Sequence, residues 1–554
     1  MNCIRATENE GDNYRELKGY RKSHLVTLDF ETDPFHHGDV IEPFVWDMFD
    51  GKNHISYWGD DCTEQLIDYL STIKSKLIIY AHNGGKFDFM FLLRWVRGEN
   101  MLVINNRIVE ANLCGHTIRD SYAAIPVPLS AMEKDSIDYQ KMTRKNRNKN
   151  RDEIMRYLYK DTEGLYKYIT AYRDMFGPNK CTMASAAITE LKKFHTYDVM
   201  AETTDTAMRQ FFAGGRVECF QSGVIDTDLK VYDVNSMYPS VMRNFLHPIS
   251  ATPLPGDKIG KKTCFIEWSG YSDGAMHFRD KTGLHFPHAI GDWKCSIHEF
   301  VAGLETGTIK VDRVRKTWDF LERASFGEFI DHFYNRRMEA KKAGDDVNTL
   351  FLKLVMNSAY GKFAQNPRDF KDYIFTDSRD AGPEHQCWCP NTPDCNCGGW
   401  RMAEESSNGF QLWKRPTVQS VFRGYHNVAT AASITGAARS ILLRAIVAAD
   451  TPLYCDTDSL ICKSLGKNTP IDNDTLGAWK LEATGTRIAI AGKKMYAIWD
   501  GKRVVKTACK GVDLSPAEIK KVSLGKEVEY ANPAPTIKFS GKQIYITRRV
   551  RRTA

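Results

Sequence analysis

The chain lacks the long apolar runs, the export signal and the internal repeats that mark several large classes of protein. No stretch approaches about 18 uninterrupted apolar residues, so we expect no membrane span. The first twenty residues read MNCIRATENEGDNYRELKGY, a polar segment without the apolar centre of a secretory signal. Fourteen cysteines are scattered along the chain. Without an export signal, we expect most of them to be reduced thiols in a cytoplasm.

A large excess of one charge is also missing. The 554 residues carry a formal net charge of +7, and 42% of them are hydrophobic and 26% charged, which is ordinary globular composition. The length predicts roughly three to four domains and a core large enough to need no disulfide or metal. The mild basic excess is compatible with nucleic-acid binding and equally with a slightly basic enzyme that binds none.

The first 180 residues alternate between strand-like and helix-like segments. We predict a strand at 24–32, a helix at about 63–74, a strand over KLIIYAH, a buried helix over FDFMFLLRWVR and a long helix from about Asp152 to Met175. This alternation predicts an α/β domain that ends near residue 180. The segment KMTRKNRNKNR (141–151) carries six basic residues and reads as a solvated loop or a phosphate-facing one.

A second region begins with LKVYDVNSMYPSVM, which predicts a strand, a tight turn and a helix with Pro239 near its start. Residues 326–364 predict two helices joined around AGDD, and residues 425–449 predict an Ala-rich helix. An apolar hairpin is predicted at 453–463.

Three acidic motifs stand out in the first 180 residues, namely DFE (Asp29, Glu31), HNGGKFD (Asp88) and YLYKD (Tyr157, Asp161). Residues two apart on a strand share a face, and residues four apart on a helix do the same. Four acids brought together would repel one another. Two divalent cations, roughly 3.5–4 Å apart, would relieve that repulsion and are typical of phosphodiester hydrolysis. Taken singly, each acid could instead be a surface or capping residue.

A second acidic set lies in the later part of the chain. Asp233 ends a predicted strand, and the hairpin YCDTDS carries Asp456 and Asp458. If the strand beside the hairpin carries Asp233, the three carboxylates form a second two-metal site. We expect Cys455 to point to the other face and to serve packing.

One predicted helix face lies between these acids. Lys353, Asn357, Tyr360 and Gly361 recur at helical spacing in KLVMNSAYGKFAQ. A cation, an amide and an aromatic ring suit a triphosphate and a base, although an ordinary amphipathic helix would show the same spacing.

Together these segments resemble the ordered motifs of family B DNA polymerases. DFE, NGGKFD and YLYKD are similar to the three exonuclease motifs, whereas DVNSMYP, KLVMNSAYG and YCDTDS are similar to polymerase motifs A, B and C, and KKMY resembles the K-x-Y motif. The likeness is collinear over most of the chain. It is greatest to the protein-primed branch, in particular to the polymerases of tailless, membrane-containing (tectivirus-like) phages.

The resemblance implies a multidomain α/β and α+β fold. An RNase H-like 3′→5′ exonuclease domain would precede a right-hand polymerase of palm, fingers and thumb with two protein-priming insertions. The implied regions are the exonuclease at 1–185, the linker and palm with motif A at 186–248, an insertion that docks a terminal protein at 249–325, the fingers with motif B at 326–365, a second insertion around the template at 366–415, the palm with motif C and K-x-Y at 416–500, and the thumb at 501–554.

The resemblance also implies roles for individual residues. Catalytic metal ligands would be Asp233, Asp456 and Asp458 in the polymerase site and Asp29, Glu31, Asp88 and Asp161 in the exonuclease site, where Tyr157 would orient the attacking water. The incoming nucleotide would meet Tyr238, Lys341, Lys353, Asn357 and Tyr360, and Tyr238 would exclude a 2′-hydroxyl. The DNA contacts would be Asn83 and Phe87 on the frayed 3′ strand and Lys494 and Tyr496 on the primer terminus.

Three further DNA contacts rest on motifs that depart from the family pattern or are ambiguous. FAGG, followed by Arg216, is similar to the Y-x-G-G linker, with Gly214 and Gly215 kept and Phe212 in place of the tyrosine. DSYAAI resembles a single-strand-binding motif, but Tyr122 replaces the leucine that normally follows Ser121. Lys141 is either the exonuclease lysine of this branch or one more charge in a basic loop.

The implied activity is DNA-directed DNA synthesis that replicates a linear genome by protein priming, with 3′→5′ proofreading and strand displacement. Two Mg²⁺ or Mn²⁺ ions would serve each site. The partners would be template and primer DNA, dNTPs and a terminal protein, but no membrane, and the enzyme would act as a monomer in the cytoplasm of an infected bacterium. Two alternatives stay open, a family B polymerase that uses ordinary DNA primers and an inactive nucleic-acid-binding relative, although the latter would be expected to lack carboxylates that are all present here.

The resemblance does not explain the segment CWCPNTPDCNC. Its four thiols have the spacing C-x-C-x5-C-x-C, formed by Cys387, Cys389, Cys395 and Cys397. Four thiolates could bind one tetrahedral zinc ion. The usual spacing within each ligand pair is wider, so reduced thiols in a solvent-exposed loop are the default expectation.

Overall fold

The computed structural model describes most of the chain from residue 24 onwards. The described residues are 24–35, 41–96, 101–128, 132, 135–366, 369–377, 382–387, 389, 397–405, 410–416, 425–467, 469–531, 536–537, 543–544 and 547–553.

The N-terminal region is built on a seven-stranded sheet of order β3-β2-β1-β4-β7-β6-β5, in which β4 lies parallel to both β1 and β7. Its elements are β1 (His24–Thr32), β2 (Pro43–Phe49), β3 (His54–Trp58), α1 (Cys62–Thr72), β4 (Leu77–Ala81), α2 (Asp88–Phe91), β5 (Leu102–Ile104), β6 (Arg107–Leu113), β7 (His116–Asp120) and α3 (Ser121–Ala124). The predicted strands at 24–32 and over KLIIYAH and the predicted helix at 63–74 are confirmed. In the middle of β1, Val26, Leu28 and Phe30 alternate with the acidic residues and are buried in the core.

The helix predicted over FDFMFLLRWVR is wrong. The segment instead forms the single turn α2 and a 3₁₀ turn at Leu93–Trp95. Hydrogen bonds from Leu92 N–H to the Phe89 carbonyl and from Val96 N–H to the Leu93 carbonyl tighten the chain at both turns. Apolar residues on every side of this segment are buried, so the amphipathic period that identifies a surface helix is absent.

Three helices follow, namely α4 (Arg151–Phe176), α5 (Met183–Phe194) and α6 (Glu202–Met208). Helix α4 matches the predicted long helix, and Asp152 and Glu153 in its first turn suit the positive end of the helix dipole. One face of α4, which includes Leu158, Leu165 and Tyr172, is buried in the core. This face lies against β1 and β2 at its N-terminal end, so the acids of β1 meet the start of the helix.

The next part of the chain contains a long strand, a short helix and a separate sheet. Its elements are β8 (Val217–Cys219), β9 (Gly223–Val234), α7 (Met237–Asn244), β10 (His247–Pro248), β11 (Leu254–Gly256), β12 (Thr263–Asp273), β13 (Phe278–Asp280), β14 (Gly283–His285), β15 (His288–Ser296), α8 (Ile297–Glu305), β16 (Ile309–Asp319) and β17 (Arg323–Ala324). Strands β11, β16, β12 and β15 form one antiparallel sheet, with α8 on it, within the predicted insertion 249–325.

Two helices, α9 (Gly327–Lys342) and α10 (Asp346–Phe363), confirm the predicted pair around AGDD. A three-stranded sheet of order β18-β20-β19 follows, made of β18 (Lys371–Asp377), β19 (Arg401–Glu405) and β20 (Phe410–Pro416).

The remaining elements complete a second large sheet. They are α11 (Val428–Ala448), β21 (Tyr454–Asp456), β22 (Ser459–Cys462), β23 (Trp479–Gly492), β24 (Met495–Asp500), β25 (Arg503–Cys509), α12 (Pro516–Ser523), β26 (Val528–Ala531), β27 (Thr536–Ile537), β28 (Gln543–Ile544) and β29 (Thr547–Val550). The antiparallel order β25-β24-β23-β9-β22-β21-β8 joins strands that are more than 200 residues apart in sequence.

Helix α11 is the one described helix that is long and apolar enough to span a membrane. However, 78% of its apolar window is buried inside the protein, where α7, α8 and α10 pack against it. This is the environment of a central core helix.

Candidate active site

The carboxylates of the second sheet meet because β22 is the immediate neighbour of β9. Ser459 pairs with Asp233, and the amide of Val234 donates a hydrogen bond to the carbonyl of Asp458 at 2.8 Å. The predicted neighbouring strand is therefore confirmed. Asp458 lies in the two-residue turn of the hairpin, next to Thr457 at φ 58°, rather than on a strand. Asp456, at the end of β21, and Asp458, in the turn, therefore do not share one strand face, although a hairpin strand through both would place them on one side.

Asp233 and Asp458 form an electronegative pair. Burial, and then the charge of Asp233, raises the pKa of Asp458 to about 6. Burial and Glu482 also raise the pKa of Asp233, against the opposing charge of Lys480, whose Nζ lies 3.3 Å from the carboxylate. Raised pKa values of neighbouring acids report negative charge that a bound cation would stabilise. The pair therefore fits a divalent metal ion.

Asp456 has a different environment. Both of its carboxylate oxygens lie 2.5 Å from Lys494 Nζ, and Lys494 N–H donates to the hydroxyl of Tyr454 at 2.9 Å. The adjacent Tyr496 ring is buried against Tyr454, with the ring centroids 5.0 Å apart. The structure thus joins Asp456 to the KKMY turn, whereas Asp233 and Asp458 line a cleft.

That cleft, of about 420 Å³, lies between the sheet and helices α9 and α10. All five residues predicted to meet a nucleotide line it, namely Tyr238, Lys341, Lys353, Asn357 and Tyr360. The rings of Tyr238 and Tyr360 are stacked 4.1 Å apart at 18°. The cleft therefore has carboxylates on one wall, cations on the other and an aromatic pair between them.

The cleft residues that were not predicted from the sequence include Tyr334, Arg337, Lys480 and Glu482. On α9, Tyr334, Arg337 and Lys341 follow the i, i+3, i+7 spacing of one helix face, which would have identified them. Arg337 Nε is buried without a hydrogen-bond partner. A buried guanidinium nitrogen aimed at a polar cleft suits an anionic ligand.

The acids of the N-terminal region also converge. One carboxylate oxygen each from Asp29, Glu31 and Asp161 lies within 4.8 Å of the others, where β1 meets α4. Burial, followed by the Glu31 and Asp161 carboxylates, raises the pKa of Tyr157, so its hydroxyl stays protonated at neutral pH. The three acids and the tyrosine are thus brought together as the motifs predict.

Asp88, the fourth predicted acid, contacts the backbone of β1. Its Oδ1 accepts a hydrogen bond from the amide of Phe30, the residue between Asp29 and Glu31, at 3.1 Å. Its Oδ2 is buried without a hydrogen-bond partner, and burial raises the pKa of Asp88 to about 7. The neighbouring acid that also raises this pKa is Asp120, and Asp88 is not among the three carboxylates that lie within 4.8 Å of one another. A buried carboxylate oxygen without a partner could still serve a divalent cation.

The HNGGKFD turn that carries Asn83 and Phe87 is held very close to the sheet. Asn83 has φ 61°, and Phe87 packs edge-on against Phe91. A Cβ on Gly85 would lie 1.9 Å from the carbonyl oxygen of Ile108, so only glycine fits there.

Two of the residues predicted to contact DNA are buried in the structure. Ser121 is fully buried, and its hydroxyl lies 2.9 Å from His82 Nδ1, a contact that orients the imidazole. Its contact with DNA stays a prediction. Arg216 is 4% exposed and paired with Glu218 at 2.6 Å. Its backbone carbonyl accepts a hydrogen bond from Thr457 N–H, so it supports the Asp458 turn.

The remaining predicted contacts lie as follows. Gly215 touches Thr457 so closely that a Cβ would approach within 2.6 Å, and the carbonyl of Gly214 accepts a hydrogen bond from Arg439. Lys141 is paired with Glu153 at 2.6 Å. The sulfurs of Cys387, Cys389 and Cys397 lie within 4.8 Å of one another, and Cys395 lies outside the described residues.

Comparison with known proteins identifies the family. The family model for DNA polymerase type B, organellar and viral, matches residues 116–387. The DNA-directed DNA polymerase of Enterobacteria phage PRD1 is 44% identical over 567 aligned residues, which cover 96% of this chain and 98% of that protein. The DNA polymerase of Bacillus phage phi29 is 23% identical and covers 85% of this chain and 86% of its own length.

Solved structures agree on the fold. The phi29 DNA polymerase complexed with primer-template DNA superposes with a TM-score of 0.70 at 16% identity, over 96% of this chain and 100% of that chain. The multidomain α/β architecture and the resemblance predicted from the motifs are thereby confirmed. The chain belongs to the family B DNA polymerases, in their organellar and viral group, and is a DNA-directed DNA polymerase of phage type.

Proposed function

We propose that this polymerase starts replication of a linear genome on a protein hydroxyl, extends the DNA strand with displacement of the complementary strand, and proofreads with a separate 3′→5′ exonuclease site. One observation supports the proposal that polymerase and exonuclease activities have separate sites. The structure has two separate clusters of carboxylates, each beside a different sheet: Asp233 with Asp458, and Asp29 with Glu31 and Asp161.

In the polymerase cleft, Asp233 and Asp458 would bind Mg²⁺ or Mn²⁺. The bound ions would lower the pKa of the attacking hydroxyl and neutralise charge on the leaving pyrophosphate. Lys341, Lys353 and Arg337 face the carboxylates across the cleft, where the phosphates of a dNTP would lie. The ring of Tyr238, which lines the cleft and stacks on Tyr360, would lie against the sugar and exclude a ribose 2′-hydroxyl.

In the exonuclease site, Asp29, Glu31, Asp88 and Asp161 would hold the divalent ions. Tyr157 keeps its proton, so its hydroxyl can orient a water molecule against the terminal phosphodiester. Asn83 and Phe87, at the edge of the tight glycine turn, would hold the frayed strand.

A separation-of-function experiment tests the two-site assignment. We expect Asp458→Ala to abolish primer extension and to spare degradation of single strands, and Asp29→Ala with Asp88→Ala to do the reverse. Asp226→Asn is the matched control, because Asp226 lies on the same strand as Asp233 but is exposed. Loss of both activities in either folded variant would contradict the assignment.

Protein priming is supported by the surface of the insertion. Among the residues that the structure describes, 18 large hydrophobic side chains are exposed, and seven of them lie within residues 249–325. Ile290 is 80% exposed and Leu304 is 50% exposed. A terminal protein would bury such side chains, and it would supply the first attacking hydroxyl in place of a DNA 3′ end. The enzyme would act as a monomer in the cytoplasm of an infected bacterium.

The adduct assay discriminates protein priming from ordinary DNA priming. The polymerase, its cognate terminal protein and one labelled nucleotide should yield a nucleotide–protein adduct. Ile290→Glu and Leu304→Glu should reduce adduct formation and leave extension of a DNA primer intact, whereas Leu524→Glu, an equally exposed site elsewhere, should change neither. An active polymerase that forms no adduct would be a DNA-primed enzyme.

A further inference from the structure

The three-stranded sheet β18-β20-β19 and its connecting loops form a small module that has little hydrophobic core of its own. Of its described residues, Phe375 and Leu412 pack into the N-terminal core, which leaves Trp400 and Trp413 as the other buried apolar side chains. Modules of this size usually need a metal, a disulfide or a partner to hold their loops.

Within the connection from β18 to β19, residues 385–387 pair with Trp400 through backbone hydrogen bonds. The amide of Cys387 donates to the carbonyl of Trp400 at 2.7 Å, and the amide of Trp400 donates to the carbonyl of His385 at 2.9 Å. This bridge requires a glycine, because a Cβ on Gly399 would lie 2.9 Å from the nitrogen of Cys387. The backbone thus brings Cys397 back beside Cys387.

The thiols at this closure are unusual for the protein. Among the cysteines that the structure describes, Cys389 and Cys397 are the only exposed ones. A cysteine that serves packing is normally buried, as Cys455 is here. Exposed thiols that converge in one loop therefore call for another explanation.

We propose that Cys387, Cys389 and Cys397 bind one Zn²⁺ ion that closes this loop. Their sulfurs already lie within 4.8 Å of one another. Tetrahedral zinc with Zn–S distances of about 2.3 Å requires sulfurs about 3.8 Å apart, so each pair needs to approach by about 1 Å at most.

A neighbouring cation supports the thiolate form. Arg401 Nε donates a hydrogen bond to the sulfur of Cys387 at 3.2 Å, which is the kind of contact that orients a metal ligand from outside. A disulfide would join only two of the three sulfurs at about 2.05 Å and would be reduced in a cytoplasm. One zinc ion would bind all three sulfurs, and its tetrahedral coordination requires one more ligand.

Metal content of the full-length protein tests this site. Protein purified under reducing conditions from zinc-supplemented cells and then desalted should contain about one zinc ion per chain by mass spectrometry. The variant Cys389→Ser with Cys397→Ser should contain almost none, whereas Cys114→Ser, a cysteine outside the module, should keep it. Primer extension on a single-stranded template reports that each variant is folded.

Two readouts separate this site from the carboxylate sites and from oxidation. Replacement of zinc by Co²⁺ should give thiolate-to-cobalt charge-transfer absorption, which oxygen ligands cannot produce. In the unaltered protein, alkylation of Cys389 and Cys397 should be slow with zinc present and fast after a chelator is added. Zinc-free reduced protein, zinc retained by the double variant, alkylation that ignores the chelator, or a disulfide among these cysteines after anaerobic purification would each overturn the proposal.

Discussion

One buried guanidinium connects three separate parts of the polymerase. Arg439, on α11, is 3% exposed and lies 2.7 Å from Glu299 on α8. It also donates to the carbonyls of Ala213 and Gly214 at 2.5 and 2.7 Å. We therefore expect Arg439→Met to loosen the contact between residues 249–325, the core helix α11 and the FAGG segment.

The expected loss in the free energy of unfolding follows from the buried Glu299 carboxylate, which the substitution leaves without its cationic partner. Removal of one partner of a buried ion pair costs about 3–5 kcal/mol, because the other charge stays buried. The loss of two charge-assisted hydrogen bonds acts in the same direction. A loss of about 4 kcal/mol would speed amide exchange in α8 and α11 by about 10³-fold where exchange follows the opening equilibrium.

Hydrogen exchange followed by mass spectrometry measures this directly. Arg444→Met is the matched control, because Arg444 lies on the same helix and pairs with Glu305, but both side chains are more than a third exposed. That exposed pair should contribute at most about 1 kcal/mol. Equal exchange in the two variants, or less than a tenfold change for Arg439→Met, would refute the reasoning.

The pH dependence gives a second check of the same ion pair. Burial alone would raise the pKa of Glu299, but Arg439 and His277 hold it well below its ordinary value. Glu299 therefore stabilises the protein above its unfolded pKa, about 4.3, and that contribution is lost as pH falls through the lower folded pKa. In Arg439→Met the pKa of Glu299 should instead be raised, because a buried carboxylate without a cationic partner is destabilised by its charge. Protonation of Glu299 would therefore stabilise the variant as the pH falls. The stability gap between the variant and the natural protein should therefore narrow from pH 7 to pH 5.

Three further predictions follow from close contacts in the two sites. Gly85→Ala should destabilise the N-terminal region by about 1–3 kcal/mol or more and abolish exonuclease activity, whereas Gly164→Ala, where a Cβ meets only an ordinary contact at 3.4 Å, should be harmless in a melting assay. Lys494→Met should lower primer extension by about 10- to 100-fold through the loss of its charged hydrogen bonds to Asp456, and an unchanged rate would show that this pair is dispensable. Tyr238→Ala should raise ribonucleotide over deoxyribonucleotide incorporation by about 10²-fold, measured as a ratio of kcat/KM values; an unchanged ratio would remove its assigned role.

Sequence reasoning succeeded where local periodicity and global packing agree. Strand β1 alternates buried and acidic residues, and α4 presents one continuous apolar face, so both elements and the convergence of Asp29, Glu31 and Asp161 could be predicted. The family motifs then supplied the pairing of Asp233 with the YCDTDS hairpin, which no local pattern contains.

Other features of the sites are not visible in the sequence. Ser121 and Arg216 are polar residues in motif positions, and sequence alone does not show that their side chains are buried and paired. Asp456 and Asp458 look equivalent in the sequence, but the turn geometry directs one towards Lys494 and the other towards Asp233. In each case long-range packing determines the partner, and that information is spread over distant parts of the chain.

The distribution of charge in the polymerase cleft indicates that nucleotide binding and catalysis depend on different walls of the cleft. Glu482 is already paired with Lys480 at 3.0 Å and Lys506 at 2.6 Å, and Lys480 also lies 3.3 Å from Asp233. The least compensated negative charge on the wall formed by the sheet is therefore that of Asp458. A triphosphate would be repelled by that wall and attracted to the cations of α9 and α10 on the other. Nucleotide affinity should therefore depend on the helices, and catalysis on the carboxylates. Lys353→Ala should then raise the KM for dNTP more than it lowers kcat, whereas a fall in kcat alone would show that the two walls do not act separately.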